Sequence, residues 1–266
     1  MEHLFHTLSD GRLYIIIDMS KRIQSLIVAV VIVLMASAQD RTVQNRPYAD
    51  LRPFHFGVII GTHLQDIELN NVGPLTITDE DGTVYESLVT ADQDRWDPGF
   101  TVGVLGEFRL STHFQLRIAP ALYFGTRHFT FHNFRPQSTE QEYTEERQNM
   151  KTAYISSAVD LIFAAPRFNN HRPYLMLGVN PMINLSGRDN DYLKLKRYDT
   201  FLEIGVGCDF YMQFFKLRPE LKFMLGLTDC LDKKHGENLR NPAMQAYTNS
   251  VNQAHSKMIS LCFYFE

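Results

Sequence analysis

Charged residues at alternate positions within apolar segments are the part of this chain best placed to do chemistry. Glu107 and Arg109 stand two apart, Arg117, Asp160, Glu203 and Asp209 each interrupt a greasy run, and Arg218, Glu220 and Lys222 recur at every second position. Side chains two apart in a strand share a face. A charge withdrawn from water must be paired or solvated, so opposite charges on neighbouring strands would either tie an interior together as a ladder or line a path for protons or a substrate. Ser156, Ser157, His128 and Asp160 supply the residue types of a hydrolase triad, but no G-x-S-x-G elbow accompanies them, and triads are defined by geometry rather than composition. Ten histidines raise the question of a metal. His55 and His63 share one face at a separation of roughly 26 Å, and His128 and His132 lie roughly 13 Å apart on a strand, both too far for one ion. Asp79-Glu80-Asp81-Gly82, in the acidic stretch 65–98, lacks the downstream bidentate Glu of a Ca²⁺ loop and reads as a solvated loop. Cys208, Cys230 and Cys262 describe neither a disulfide framework nor a metal site. The residues thus point to no cofactor and no small-molecule substrate.

The elements that must carry these charges are strands. Leu217, Pro219, Leu221, Phe223, Leu225 and Leu227 share one parity against Arg218, Glu220 and Lys222, so one face is apolar from end to end. The same alternation runs through 54–64, 100–110, 114–124, 153–163, 174–185, 200–212 and 257–265, giving eight expected strands of about 10 residues, the length that crosses a bilayer. Connections alternate between short (111–113, 166–173, 213–216) and long (65–98, 132–149, 186–199, 228–256), as in outer-membrane barrels. A soluble β-sandwich or lipocalin-like barrel also alternates, with its apolar face inward. Eight strands each bearing four to six large apolar residues would overfill so narrow an interior but would clothe its outside. The expected fold is therefore all-β, an eight-stranded antiparallel up-and-down transmembrane barrel of the OmpX and OmpA kind, with the apolar parity toward lipid. Phe54, Phe100, Phe114, Phe124, Phe129, Phe131, Phe201 and Phe265 near strand ends are expected to form its aromatic girdles. Since eight strands enclose just enough room for their own side chains, the ladder of Glu107, Arg109, Arg117, Asp160, Glu203, Arg218, Glu220 and Lys222 is expected to be a structural plug rather than a pore.

Upstream of the strands, Lys21-Arg22, an apolar run from Ile23 to Met35 and Ala36-Ser37-Ala38 form a secretory signal with a small-residue cleavage site over 1–38. The apolar run is too short to span a membrane as a helix. The basic start falls after Met19, which would be the natural first residue of such a signal. No Cys follows the cleavage site, so the chain is not expected to be a lipoprotein. That leaves a segment 39–53 in the periplasm and a barrel over 54–266. A net charge of −4 is too mild to suggest a nucleic-acid partner.

Asn45-Arg46-Pro47-Tyr48-Ala49-Asp50-Leu51-Arg52-Pro53-Phe54-His55-Phe56-Gly57, continued by Gly61, Trp96-Asp97-Pro98-Gly99-Phe100 and Arg172-Pro173-Tyr174-Leu175, resembles the PorT family of Bacteroidetes outer-membrane β-barrel proteins. The resemblance covers most of the chain beyond the signal, its N-R-P-Y and F-H-F-G segment being the specific part. It implies a required, non-enzymatic component of type IX secretion, which exports proteins with C-terminal sorting domains. Its expected partners are outer-membrane lipid and other secretion-system proteins. It assigns no catalytic residues. Outer-membrane barrels commonly end on an aromatic residue, and here Glu266 follows Phe265. In the periplasmic segment Asn45, Arg46 and Tyr48 are the candidate partner contacts, because Arg and Tyr are frequent binding anchors; the alternative is that the segment packs on the barrel mouth. A generic structural or adhesion barrel, or a small barrel enzyme acting on lipid or peptide, are the other functional readings.

Overall fold

The structure, a computed structural model, describes residues 44–78, 84–134, 144–186, 191–238 and 242–266. Ten strands follow one another: β1 (Phe54–Asn71), β2 (Pro74–Thr78), β3 (Val84–Asp92), β4 (Asp97–Arg109), β5 (Phe114–Phe134), β6 (Thr144–Ala164), β7 (His171–Asn184), β8 (Tyr198–Tyr211), β9 (Lys216–Gly226) and β10 (Val251–Phe265). Eight of them, β1-β4-β5-β6-β7-β8-β9-β10, form an all-antiparallel ring. It closes where β10 pairs with β1, from Val58↔Phe265 to Asn71↔Val251. A closed ring leaves no unpaired edge, which a wall in lipid requires.

Sidedness follows from exposure. Phe56, Ile60, Phe100, Leu175, Ile204 and Phe223 point outward and are about half exposed, while Arg117, Arg218, Asp160 and Glu203 point inward with 0% exposure. Soluble monomers rarely expose a continuous apolar wall of this extent, and lipid is the solvent that suits it. The turns at Leu110–His113, 165–170 and 212–215 are short and lie at one end with both termini of the barrel, the periplasmic end in outer-membrane barrels. Asn169 takes a positive φ of 50° at the tip of the second turn, a conformation Asn tolerates better than most residues.

The strands at the other end are longer than their apolar faces suggested. β1 has 18 residues and β5 and β6 have 21 each, well beyond a bilayer crossing. The stretch 65–98 is accordingly not one long loop: it contains the end of β1, the β2–β3 hairpin and the start of β4. Above the lipid the side-chain pattern inverts. Arg147, Asn149 and Lys151 of β6 face out, and Met150 of β6, Ile67 of β1 and Phe129 and Phe131 of β5 face in. Once the outer solvent is water rather than lipid, the stable arrangement is that of a soluble barrel. Phe129, Phe131 and Phe201 are therefore not girdle residues. They share the inward parity of Arg127 and Glu203 and are 1%, 0% and 0% exposed. Phe54, Phe100, Phe114 and Phe124 do face outward, with ring pairs Phe54–Phe108 at 4.9 Å and Phe100–Phe124 at 5.0 Å.

The inverted region is capped. Leu193, Leu195, Cys230 and Leu231 fold onto Ile67, Phe131, Met150 and Ala254. Tyr247, from the helix α2 (Pro242–Asn249) that follows the short helical turn α1 (His235–Asn238), packs edge-on against Phe131 at 5.6 Å. Burying Phe131 alone stabilises by about 2 to 3 kcal/mol. The signal segment 1–38 and Asp79-Glu80-Asp81-Gly82 lie outside the described residues.

Candidate functional site: the barrel interior and its two mouths

The inward-facing charges converge because the register stacks them. Glu107 stands opposite Arg117, Arg117 opposite Asp160, and Gly207 opposite Glu220. Gly207 is required there: a Cβ would lie 2.3 Å from the Tyr174 hydroxyl, so only glycine lets that ring cross the lumen. Near the short-turn end, Arg218 holds Asp209 through Nε and Nη2, and Glu107 through both terminal nitrogens, with Nη2 to Glu107 Oε1 at 3.2 Å. Its Nη1 also lies 3.1 Å from Glu266 Oε1. One layer higher, Arg117 donates to Glu220 at 2.8 Å and Glu107 at 3.4 Å. The Tyr174 and Tyr264 hydroxyls complete the shell of Glu220 at 2.6 and 2.8 Å. The Arg117 guanidinium lies over the Tyr264 ring at 4.4 Å, which supports it by cation–π attraction. Higher still, Lys222 pairs with Glu203 at 3.2 Å, and Asn180 donates to the same carboxylate at 2.5 Å.

Of the expected ladder, Glu107, Arg117, Arg218 and Glu220 thus form one network and Glu203 with Lys222 a second. Asp160 is enclosed beside them, its nearest cationic nitrogen being Arg117 Nη1 at 4.0 Å. Arg109 is a correction. It has the inward parity but sits at the rim, where its guanidinium reaches only the carbonyls of Ser111 at 3.4 Å and Leu51 at 3.5 Å. Parity fixes the face and not the depth, and at the last residue of β4 a long side chain turns to water. Sequence reasoning missed Lys216 and Glu266, which pair at the same mouth, and the two tyrosines. Tyr174 and Tyr264 carried a signal, since both share the parity of neighbouring inward residues.

The residues of the triad reading are separated by the wall. Ser156 faces inward and donates to the Ala121 carbonyl at 3.3 Å, Asp160 is inward, and Ser157 and His128 are outward. His128 instead pairs through Nδ1 with Asp97 at 2.7 Å. His55 lies by Glu266 at 3.6 Å and His63 by Thr101 at 3.0 Å, at different heights. Among the described residues no three His, Cys, Asp or Glu side chains cluster as metal ligands.

A strap of residues 44–52 crosses the short-turn mouth. Asn45 donates twice there, its N–H to Asn170 Oδ1 at 2.8 Å and its Nδ2 to the Tyr211 carbonyl at 3.0 Å. Arg46 donates to the Glu266 carbonyl at 3.0 Å. Arg167, stacked on Tyr211 at 3.6 Å, holds the carbonyls of Asn45 and Arg46. Asp50 takes the Tyr211 hydroxyl and lies 3.5 Å from Arg172. Asn45 and Arg46 are therefore committed to the barrel, whereas Tyr48 is 75% exposed.

At the opposite mouth Asp229 pins the cap, accepting from the backbone N–H of Ala254 at 3.1 Å and Leu231 at 3.2 Å. Partial burial pushes its carboxyl up, but those hydrogen bonds, with Lys233 and Lys196, hold it below the usual carboxylate range. The folded form thus binds this proton more weakly than the unfolded chain. The stabilisation is complete above the ordinary carboxylate range and is lost as pH falls through the lowered value. Amide exchange at Leu231 and Ala254 should accelerate over that acidic window in the native protein. In Asp229→Asn it should be fast throughout, once the intrinsic pH dependence is removed.

Among the described residues, the strap thus lies across one mouth and the cap across the other. Among solved structures, OprG from Pseudomonas aeruginosa is similar at 12% identity and TM-score 0.44, covering 79% of this chain and 93% of its own. Ail of Yersinia pestis, solved with the heparin analogue sucrose octasulfate, is similar at 12% and 0.36, covering 81% and 100%. AlkL, solved in DMPC bilayers, is similar at 12% and 0.31, covering 85% and 93%. No curated protein matches the chain in sequence. Residues 37–232 match the family described as outer membrane protein beta-barrel domain, so the chain belongs to that family and is an outer-membrane β-barrel protein.

Proposed function

We propose that this barrel is a non-enzymatic, PorT-like component of type IX secretion, delivered through a cleaved signal over 1–38 and anchoring a periplasmic contact surface. The observation that carries the reading is the strap. Asn45-Arg46-Pro47-Tyr48, the most specific part of the resemblance, is held rigidly across the periplasmic mouth while Tyr48 at 75% and Leu51 at 60% are left exposed. A fixed aromatic beside an exposed leucine is a low-entropy anchor for a protein partner. The packed lumen favours a scaffold over a transport path.

The candidate trio divides by role. Tyr48→Ala should stop surface delivery of proteins with sorting domains while the barrel remains heat-modifiable. Asn45→Ala with Arg46→Ala should first loosen the strap, read as faster proteolysis of residues 44–52. Normal secretion by Tyr48→Ala would remove the segment from the mechanism and favour a generic structural or adhesion barrel.

A further inference from the structure

The outer wall is interrupted between β3 and β4. β3 and β4 both pair with β5, but the β3 ladder stops at Asp92↔Thr130 and the β4 ladder at Gly99↔Gly125. Between them the chain bulges through Gln93–Trp96, and Asp97 takes over the pairing by accepting the His128 N–H at 2.7 Å. Two depressions mark the outside of this break. The lower, about 390 Å³, is lined by Pro98, Phe100, Phe124, Lys151 and Ala153. The upper, about 250 Å³, is lined by Asp94, Arg95, His128, Thr130, Arg147 and Asn149. They are stacked, because Thr126↔Lys151, His128↔Asn149 and Thr130↔Arg147 are successive outward pairs, each step roughly 7 Å.

We propose that this double depression holds a phosphate-bearing lipid of the outer leaflet, with acyl chain below and phosphate above. Below Phe124 and Ala153 the outward residues are Val102, Leu122 and Ile155, so the lower depression opens to the acyl layer, where lipid is the occupant available. Above it the outward residues turn polar and the donors are unspent. Arg95 and Arg147 meet Asp97 at 3.4 Å and Glu145 at 2.6 Å through Nε alone. Their terminal nitrogens and Lys151 Nζ have no partner among the described residues. Three carboxylates stand near: Asp94 accepts the Thr130 hydroxyl at 2.7 Å through Oδ2, Glu145 pairs with Arg147 Nε, and Asp97 is buried between His128 and Gln93. Planar guanidinium edges beside an ammonium suit phosphate. The inference stands apart from the secretion reading.

Trp96, the single tryptophan of the chain, is exposed and follows Arg95 in sequence, so its emission serves as the probe. Its emission in the purified barrel in zwitterionic detergent is followed against diphosphorylated lipid A, phosphate-free lipid A and inorganic phosphate. A saturable change with the diphosphorylated lipid is expected, with a midpoint at least about tenfold lower than for the phosphate-free form. The triple variant Arg95→Gln, Arg147→Gln, Lys151→Gln should lose that preference. Ala153→Phe, which fills the lower depression and keeps the cations, should weaken both lipids. Equal midpoints for the two lipids, or a triple variant that titrates like the native chain, would overturn the proposal. So would inorganic phosphate alone reproducing the change at comparable concentration, since that would make the site one for free phosphate.

Discussion

Arg218→Leu is expected to cost about 3 to 5 kcal/mol, a large part of a typical folding free energy of about 5 to 15 kcal/mol. The guanidinium is fully buried and is the shared partner of Asp209, Glu107 and Glu266. Its loss leaves carboxylates facing one another out of water, with Arg117 and Lys216 too committed to compensate. The readout is the urea midpoint of the heat-modifiable form in detergent. Arg109→Leu is the matched control: it removes the same charge from the same parity, but only rim contacts to backbone carbonyls are lost, and a change within about 0.5 kcal/mol is expected. Equal midpoints for the two variants would show that the interior is not held by this network.

The second large effect compares neighbouring residues of β9. Phe223→Arg places a charge on the lipid face and is expected to cost about 2 to 4 kcal/mol. Parity alone would rank Lys222→Leu as mild, since it removes a charge from the inner face. The structure gives a different ranking, because Lys222 is the cationic partner of buried Glu203 at 3.2 Å, and stranding that carboxylate costs about 3 to 5 kcal/mol. Lys222→Leu combined with Glu203→Gln should recover most of the loss, whereas no inner substitution should rescue Phe223→Arg. Refolding yield into lipid vesicles separates the two mechanisms. A Lys222→Leu variant that folds like the native chain would mean that Asn180 alone satisfies Glu203.

The closed ends bear on function. Here Arg117 and Arg218 are stacked on or beside tyrosines, the strap covers one mouth, and the Leu193–Leu195 and Cys230–Leu231 segments cover the other. The rim and the outer wall are the surfaces open to other molecules, and both proposals above are located there.

The sequence by itself determined the membrane-crossing part of the barrel. Period-two alternation is local and needs no tertiary information, so the apolar parity of 217–227 and the inward parity of Arg117, Glu203 and Arg218 were legible residue by residue. That lipid lies outside also followed, because the large apolar side chains outnumber what a narrow lumen can hold. Three matters were decided only by the tertiary structure. The strands continue beyond the lipid with their pattern inverted, so a search for an unbroken apolar face ended at Phe124 and Ala153 and placed Phe129 and Phe131 on the wrong surface. Depth is set by the stagger of the ring, which leaves Arg109 at the rim and encloses Arg218 in the lumen behind the same mouth despite equal parity. Partnership is set by register across strands far apart in sequence: Arg218 meets Glu107 and Arg117 meets Glu220, and the strap is pinned by Arg167 and Arg172. Alternation states which way a side chain points; only closure of the ring, by bringing β1 against β10 and the charges to one height, determines what it meets there.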